Sequence, residues 1–218
     1  MVNFLLLIEK ATNFSKQDID RGQTPPEIYN LCSSIRETFC LSYAIRKYNN
    51  LYLYFQEECV LIKFKGKDLR YLGPDERSQA LLLEKALKKS NKIISIKNSK
   101  WEKSTPGIYV RKFSDKASMI NFFKTIMVEN NFIIEDNQQN FDEKVGESIS
   151  NNYFIEISES DFFIIPTYLI SSRDSDMIKT FEEVKNIKYI SLSKIKGVEN
   201  KILYINFRKD NQKVLKNQ

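Results

Sequence analysis

Leu69-Arg70-Tyr71-Leu72-Gly73-Pro74-Asp75-Glu76-Arg77-Ser78 is the stretch on which the reading of this chain turns. It runs from the end of an apolar strand, through a Gly-Pro turn, into the first turn of an apolar helix, and so sets up the alternation from which an α/β fold is built. Gly73 gives the turn its flexibility, Pro74 suits the first helical position, and Asp75 and Glu76 favour the positive end of the helix dipole. Those roles leave Arg70 and Arg77, which bracket the turn. A guanidinium fork can clasp a phosphate through two parallel hydrogen bonds, and it can equally pair with a glutamate on a solvated helix start.

Outward from this turn, the same alternation continues. Residues 2–8 form a short apolar run of the kind found in buried strands. A polar loop is expected to about Thr24, which is placed to cap a helix beginning with Pro25 and Pro26 and carrying Ile28, Leu31, Cys32, Ile35, Phe39 and Ile45. Residues 51–55 and 60–64 read as two strands joined at Gln56-Glu57-Glu58. The helix after Pro74 turns Ala80, Leu83, Ala86 and Leu87 inward and ends in Lys88-Lys89. Ser104-Thr105-Pro106-Gly107 signals a turn before a strand at 108–110. Ser114 is placed to cap a helix bearing Met119, Ile120, Phe123, Ile126 and Met127. Strands are expected at 132–134, 162–165, 189–192 and 202–207, a helix at 176–184, and a mobile polar loop at 138–152. The fold class is therefore α/β with a mostly parallel sheet, and no linker divides residues 1–218 into separate domains.

Composition narrows the chemistry. The chain has 218 residues, enough to bury a full core, with 42% hydrophobic and 28% charged residues, as in ordinary globular proteins. Its net charge of +6 is unevenly placed: residues 60–112 hold 14 Lys or Arg against 5 Asp or Glu. A basic excess confined to one region points to a polyanionic partner. Three cysteines, Cys32, Cys40 and Cys59, lack any CxxC spacing and read as reduced core thiols of a cytoplasmic protein. The apolar run at 4–8 is far too short to span a membrane. Histidine is absent, which excludes Ser-His and Cys-His nucleophiles and, with so few cysteines, argues against a metal site.

Aromatic residues are interleaved with the basic ones. Tyr71 lies between Arg70 and Arg77, Tyr109 beside Arg111, and Trp101 between Lys100 and Lys103. Cations for phosphates and rings for unpaired bases are what single-stranded or loop RNA requires. The alternation around Tyr109 also fits a half-buried strand residue, and Trp101 fits a core anchor.

Two segments together carry a resemblance. Lys65-Gly66-Lys67-Asp68-Leu69-Arg70-Tyr71-Leu72-Gly73-Pro74-Asp75-Glu76-Arg77-Ser78 and Ser104-Thr105-Pro106-Gly107-Ile108-Tyr109-Val110-Arg111-Lys112 resemble the archaeal tRNA pseudouridine-54 N1-methyltransferases, trefoil-knotted members of the SPOUT class. Leu41-Ser42-Tyr43-Ala44-Ile45-Arg46-Lys47 resembles that family's Leu-Ser-His-x-Ile-Arg-Arg segment, and Ile190-Ser191-Leu192-Ser193 the start of its C-terminal knot segment. The resemblance implies one SPOUT-type domain with its knot in the C-terminal part, a homodimer formed through the knot, and S-adenosylmethionine as cofactor. It implies methylation of N1 of pseudouridine in the T-loop of tRNA. Cofactor contacts would fall on Ile134, Pro166, Thr167, Leu192, Ser193, Lys194, Ile195, Lys196, Gly197 and Ile202. RNA contacts would fall on Arg70, Arg77, Ser78, Thr105, Tyr109 and Arg111.

The chain departs from the family where chemistry is expected. The family's Gly-Arg-x-Asp before the first long helix reads Pro26-Glu27-Ile28-Tyr29, and its Gly-Asp-His-x-Gly after the cofactor strand reads Pro166-Thr167-Tyr168-Leu169-Ile170. Tyrosine is no carboxylate at neutral pH, and proline offers no N–H where glycine lets backbone approach a ligand. Glu27 and Glu76 are the carboxylates near these motifs that could stand in as proton acceptors. The alternative is a knotted paralogue without activity that binds RNA or a partner.

Overall fold

The computed structural model describes residues 2–93, 100–135, 156–167 and 176–216. At its centre is β1 (Val2–Ile8), buried along its whole length. Phe4, Leu6 and Ile8 join the core on one face of the sheet, and Leu5 and Leu7 join the core on the other. A strand covered on both faces needs an unbroken apolar run, which is what the sequence has.

Next comes α1 (Lys16–Asp20), where the sequence suggests only loop. Ser15 and Asp18 form a reciprocal capping box that stabilises this short helix: the Ser15 N–H donates to Asp18 Oδ2 at 2.8 Å. The helix α2 (Pro26–Phe39) begins at Pro25 without a side-chain cap, so Thr24 does not cap it. Pro26 at the first position needs no N–H partner, which makes a cap there less necessary. Ile45 lies beyond the helix, in an isolated bridge with Cys40, because the backbone turns extended at Cys40.

Two strands then form a hairpin, β2 (Asn49–Phe55) and β3 (Val60–Lys65), antiparallel to each other. A single 3-10 turn, Gly66–Asp68, leads to the quoted stretch and to α3 (Glu76–Asn91). Asp75 is the N-cap of α3, accepting the Ser78 N–H at 2.8 Å, so the helix starts two residues after Pro74. A second hairpin follows, β4 (Glu102–Thr105) and β5 (Ile108–Lys112), of which the sequence pattern indicates only the second strand. Strand β4 has no buried residue, so it carries no apolar alternation to read.

The C-terminal half comprises α4 (Lys116–Ile126), β6 (Asn131–Glu135), β7 (Phe162–Pro166), α5 (Asp176–Glu182), β8 (Ile187–Ser191) and α6 (Val198–Lys216). Asp115, not Ser114, caps α4 by accepting the Ser118 N–H at 2.7 Å, while the Ser114 hydroxyl donates to Asp115. The strand expected at 202–207 is part of α6. Its residues favour strands by type, but Ile202 and Ile205 are buried while Leu203, Tyr204 and Phe207 are exposed, a helical period rather than alternation. The polar loop expected at 138–152 lies outside the described residues.

All strands join one eight-stranded sheet in the order β4-β5-β3-β2-β1-β7-β6-β8. Strands β2, β1, β7, β6 and β8 are parallel neighbours, and β3, β5 and β4 continue antiparallel. The sheet is thus mixed α/β, parallel over its larger part. One face carries α1, α2, α3 and α6 and the other α4 and α5. No helix among the described residues is long and apolar enough to cross a membrane.

Candidate functional site

Three parallel strands, β7, β6 and β8, bring their carboxyl ends to one edge, where ligands of open α/β sheets bind. Ile134 is buried near the end of β6 and pairs in register with Ile190 of β8. Pro166 ends β7, and the next residue ties that end to β1: both the N–H and the hydroxyl of Thr167 donate to Leu7 O at 3.0 Å. After β8 the chain turns tightly, with the Ile195 N–H donating to Leu192 O at 2.9 Å and the Ser191 hydroxyl donating to Ser193 at 3.2 Å. Gly197 takes a φ of +85°, a left-handed turn that L side chains rarely adopt, and α6 starts directly after it. Ile202 is fully buried in the same core cluster as Ile134.

Nine of the ten residues expected to hold a cofactor lie at or just beyond the carboxyl ends of β6, β7 and β8, and Ile202 lies in the second turn of α6. Their chemistry combines apolar side chains and main chain with the exposed lysines Lys194 and Lys196. Ile134 and Ile202 supply floor, Leu192 and Ile195 are half-buried, and the Thr167 hydroxyl is already engaged on β1. A turn with a positive-φ glycine at a helix start, over an apolar floor, suits a nucleoside-bearing ligand gripped by backbone. Residues 168–170, where the family glycine is replaced, lie outside the described residues.

A groove of about 500 Å³ lies where α1, α2 and α3 meet, lined by Ile19, Gly22, Thr24, Pro26, Tyr29, Glu76 and Arg77. Helix α2 reaches the start of β2 with its C-terminal end, where the Asn49 side chain donates to Thr38 O at 2.8 Å. Its N-terminal end, which lines the groove, accordingly lies toward the carboxyl ends of β1 and β7. Of the two candidate carboxylates, the structure puts Glu76 in the groove beside Tyr29; Glu27 is exposed and outside the lining. Cys32 is no rival nucleophile, since burial, helped by Glu76, pushes its thiol up to about 12.

Arg77 is engaged on the protein itself. Its Nε and Nη2 donate to Asp20 Oδ1 at 3.2 and 2.8 Å, and Lys16 binds the same carboxylate. Hydrogen bonds from Lys16 and then Arg77 hold the Asp20 carboxyl below its usual range. With Arg77 60% exposed, this pair contributes little to stability and can be exchanged for a phosphate. Ser78 is committed to the turn, its hydroxyl accepting the Gly73 N–H at 3.0 Å. Arg70 is exposed and has no hydrogen-bond or ion-pair partner among the described residues.

The two sequence segments meet physically. The Lys65 N–H donates to Gly107 O at 2.8 Å, and the Tyr109 hydroxyl donates to Asp68 Oδ2 at 3.2 Å. Lys65 pairs with the same carboxylate at 2.8 Å, holding the Asp68 carboxyl below its usual range. Thr105 ends β4 with its hydroxyl oxygen buried, and Arg111 lies over the rings of Phe122 and Phe113 at 4.5 and 4.9 Å. Tyr109 and Arg111 share a sheet face with Lys63, which sequence reading passed over; its only signal was a charged residue between Ile62 and Phe64 in an apolar strand.

Parallel strands that end at one loop cluster, beside a basic antiparallel hairpin, define the class of this protein as mixed α/β. Within that class, the family model described as "Putative SAM-dependent RNA methyltransferase" matches residues 1–194, and the chain belongs to that family. It is 42% identical over 85 residues to a tRNA (pseudouridine(54)-N(1))-methyltransferase of Methanocaldococcus jannaschii, covering 38% of this chain and 42% of that protein. The likeness to the protein of the same name in Haloferax volcanii is 33% over 107 residues, 49% of this chain and 51% of that protein. These two matches thus span about half or less of each relative. A longer match, 27% identical over 201 residues, covers 90% of this chain and 91% of the protein of that name in Methanocella arvoryzae.

Proposed function

We propose that this chain is a methyltransferase that uses S-adenosylmethionine to methylate N1 of pseudouridine at position 54, in the T-loop of tRNA. The observation that carries this reading is the convergence of residues 134, 166–167 and 192–197 at the carboxyl ends of β6, β7 and β8, in a chain of this family. Likeness to relatives bearing that enzyme's name along 90% of the chain supports the substrate. The comparisons lend no support to the paralogue without activity, toward which only the departures at Tyr29 and Pro166 point.

When bound, S-adenosylmethionine supplies an activated methyl group for in-line displacement by a nitrogen nucleophile. The chain's part is to position and to manage one proton. The turn at 192–197 and the strand ends of β6 and β7 would hold the cofactor. Glu76, which lines the groove with Tyr29, would accept the imide proton, and the Tyr29 ring would face the base. Arg70, and Arg77 released from Asp20, hold phosphates beside the groove.

The same reading takes residues 1–218 as one SPOUT-type domain of the cytoplasm, knotted in its C-terminal part. Support for the knot is the threading order: β7 inserts between β1 and β6, both earlier in the chain, and β8 continues on the far side of β6 before α6 returns to pack on α2. A homodimer through this region fits the apolar residues that α6 leaves exposed.

Calorimetric titration with S-adenosylmethionine tests the cofactor site, with saturable binding expected. Absence of binding at millimolar cofactor would sink the enzyme reading. Given binding, methyl incorporation is expected into tRNA carrying pseudouridine at position 54 and not into the same tRNA carrying uridine there.

A further inference from the structure

On the sheet face that carries α4, two cations sit among aromatic rings with no ion-paired acid among the described residues. Lys63 Nζ lies 5.0 Å from the Tyr52 ring and 5.9 Å from that of Trp101. Arg111 lies over Phe122 and Phe113. Trp101 and Phe122 meet edge to face at 5.8 Å, which joins the two halves into one strip. In the β3–β5 register Lys63 faces Tyr109, and Arg111 is two residues beyond it, so the two cations are diagonal neighbours on one face.

Neither cation has a carboxylate partner among the described residues, whereas several basic side chains elsewhere in the chain do. Lys65 has Asp68, Arg77 has Asp20, Lys89 has Glu102 and Lys124 has Glu183. Asp68, the acid that acts on Lys63 from a distance, is already held by Lys65 and Tyr109. The Nε of Arg111 is buried with no acceptor. Burial pulls both groups below their ordinary pKa values, and the charge of Lys65 adds to the effect on Lys63. Half-burying a cation without a carboxylate partner costs stability, which the ring contacts offset only in part. An anion from outside would offset the rest.

We propose that Lys63, Arg111 and Trp101 form an anchoring strip for an unpaired RNA strand, separate from the groove that holds Glu76, with a phosphate at each cation and a base against the indole. The proposal rests on the reading of this chain as an RNA-modifying protein and adds a second contact surface to it. Nucleic acid fits better than an acidic protein segment because the cations alternate with flat rings, and rings stack on bases but gain little from carboxylates.

Trp101 is the only tryptophan, so its emission reports on the strip directly. Titration of the full-length protein with a twelve-nucleotide oligouridylate is expected to quench that emission saturably and to weaken steeply with salt. Lys63→Gln is expected to bind about tenfold more weakly, with a salt slope smaller by about 0.7. Its thermal midpoint should stay close to that of the wild type, since the lost ring contacts and the relieved desolvation of the cation oppose each other; a merely structural lysine would lower it. Lys63→Arg is expected to restore affinity. If RNA binds wild type and Lys63→Gln alike and leaves Trp101 emission unmoved, the strip is wrong while RNA binding stands. If a filter assay finds no RNA binding by the wild type, both ideas fall together. Equal quenching by polyglutamate would overturn the assignment to nucleic acid.

Discussion

Gly107 shows how one residue can tie two distant motifs together. It turns the β4–β5 hairpin at a φ of +83°, and a Cβ added there would lie 2.4 Å from the backbone nitrogen of Leu69. Two independent penalties apply to any side chain: about 1–2 kcal/mol for left-handed backbone and a further ~1–3 kcal/mol for overpacking against atoms that cannot move aside. Gly107→Ala is therefore expected to lower stability by about 3 kcal/mol in urea denaturation. Gly22, with a φ of +69° and nothing within 4 Å of where a methyl group would sit, separates the two terms. Gly22→Ala should cost only the conformational part, about 1 kcal/mol. The turn itself was legible in sequence, because Ser-Thr-Pro-Gly is local punctuation. The contact with Leu69 was not, because nothing local marks which backbone a hairpin tip will touch. The same limit applies to Arg77, whose pairing with Asp20 depends on a helix, α1, held by a capping box inside a polar stretch.

At the scale of elements, most strands and the helices α2 to α5 were legible, while α1, β4 and α6 were not. The apolar run of β1 and the hairpin β2–β3 are fixed by local patterns that survive folding unchanged. In α6 the segment Ile202-Leu203-Tyr204-Ile205-Asn206-Phe207 is so rich in strand-favouring residues that propensity masks its period. What decides for helix is tertiary. Asn206 is buried between α2 and β2, its side chain donating to Glu37 O at 2.8 Å and accepting from Asn49 at 2.9 Å. Asn206→Ala would leave a buried carbonyl and half an amide without partners, at a cost of about 2 kcal/mol. The expected result is a lower urea midpoint with an unchanged slope, since the same surface is still exposed on unfolding. A midpoint like that of the wild type would mean that the α2–α6 contact rests on Ile202 and Ile205 alone.

For the whole molecule, the open question is what covers the outer face of α6. Leu203 is 46% exposed and Phe207 58%, and they lie four residues apart with Tyr204 on the same side. Single exposed apolar residues need no explanation, but three large ones within two turns of one helix form a patch that water solvates poorly. The helix starts at the turn proposed to hold the cofactor, so a second copy docked there would bury the patch and confine that turn at once. A twofold contact is self-complementary, so one substitution is felt twice. Sedimentation velocity should find the wild type as a dimer at micromolar concentration, with Phe207→Glu shifted to monomer because two carboxylates would be buried against the facing copies. Far-ultraviolet dichroism should be unchanged, since residue 207 is exposed within the chain. A monomeric wild type would sink the homodimer and leave the patch for the RNA or another protein; a Phe207→Glu variant that remains dimeric would place the twofold contact elsewhere on the molecule.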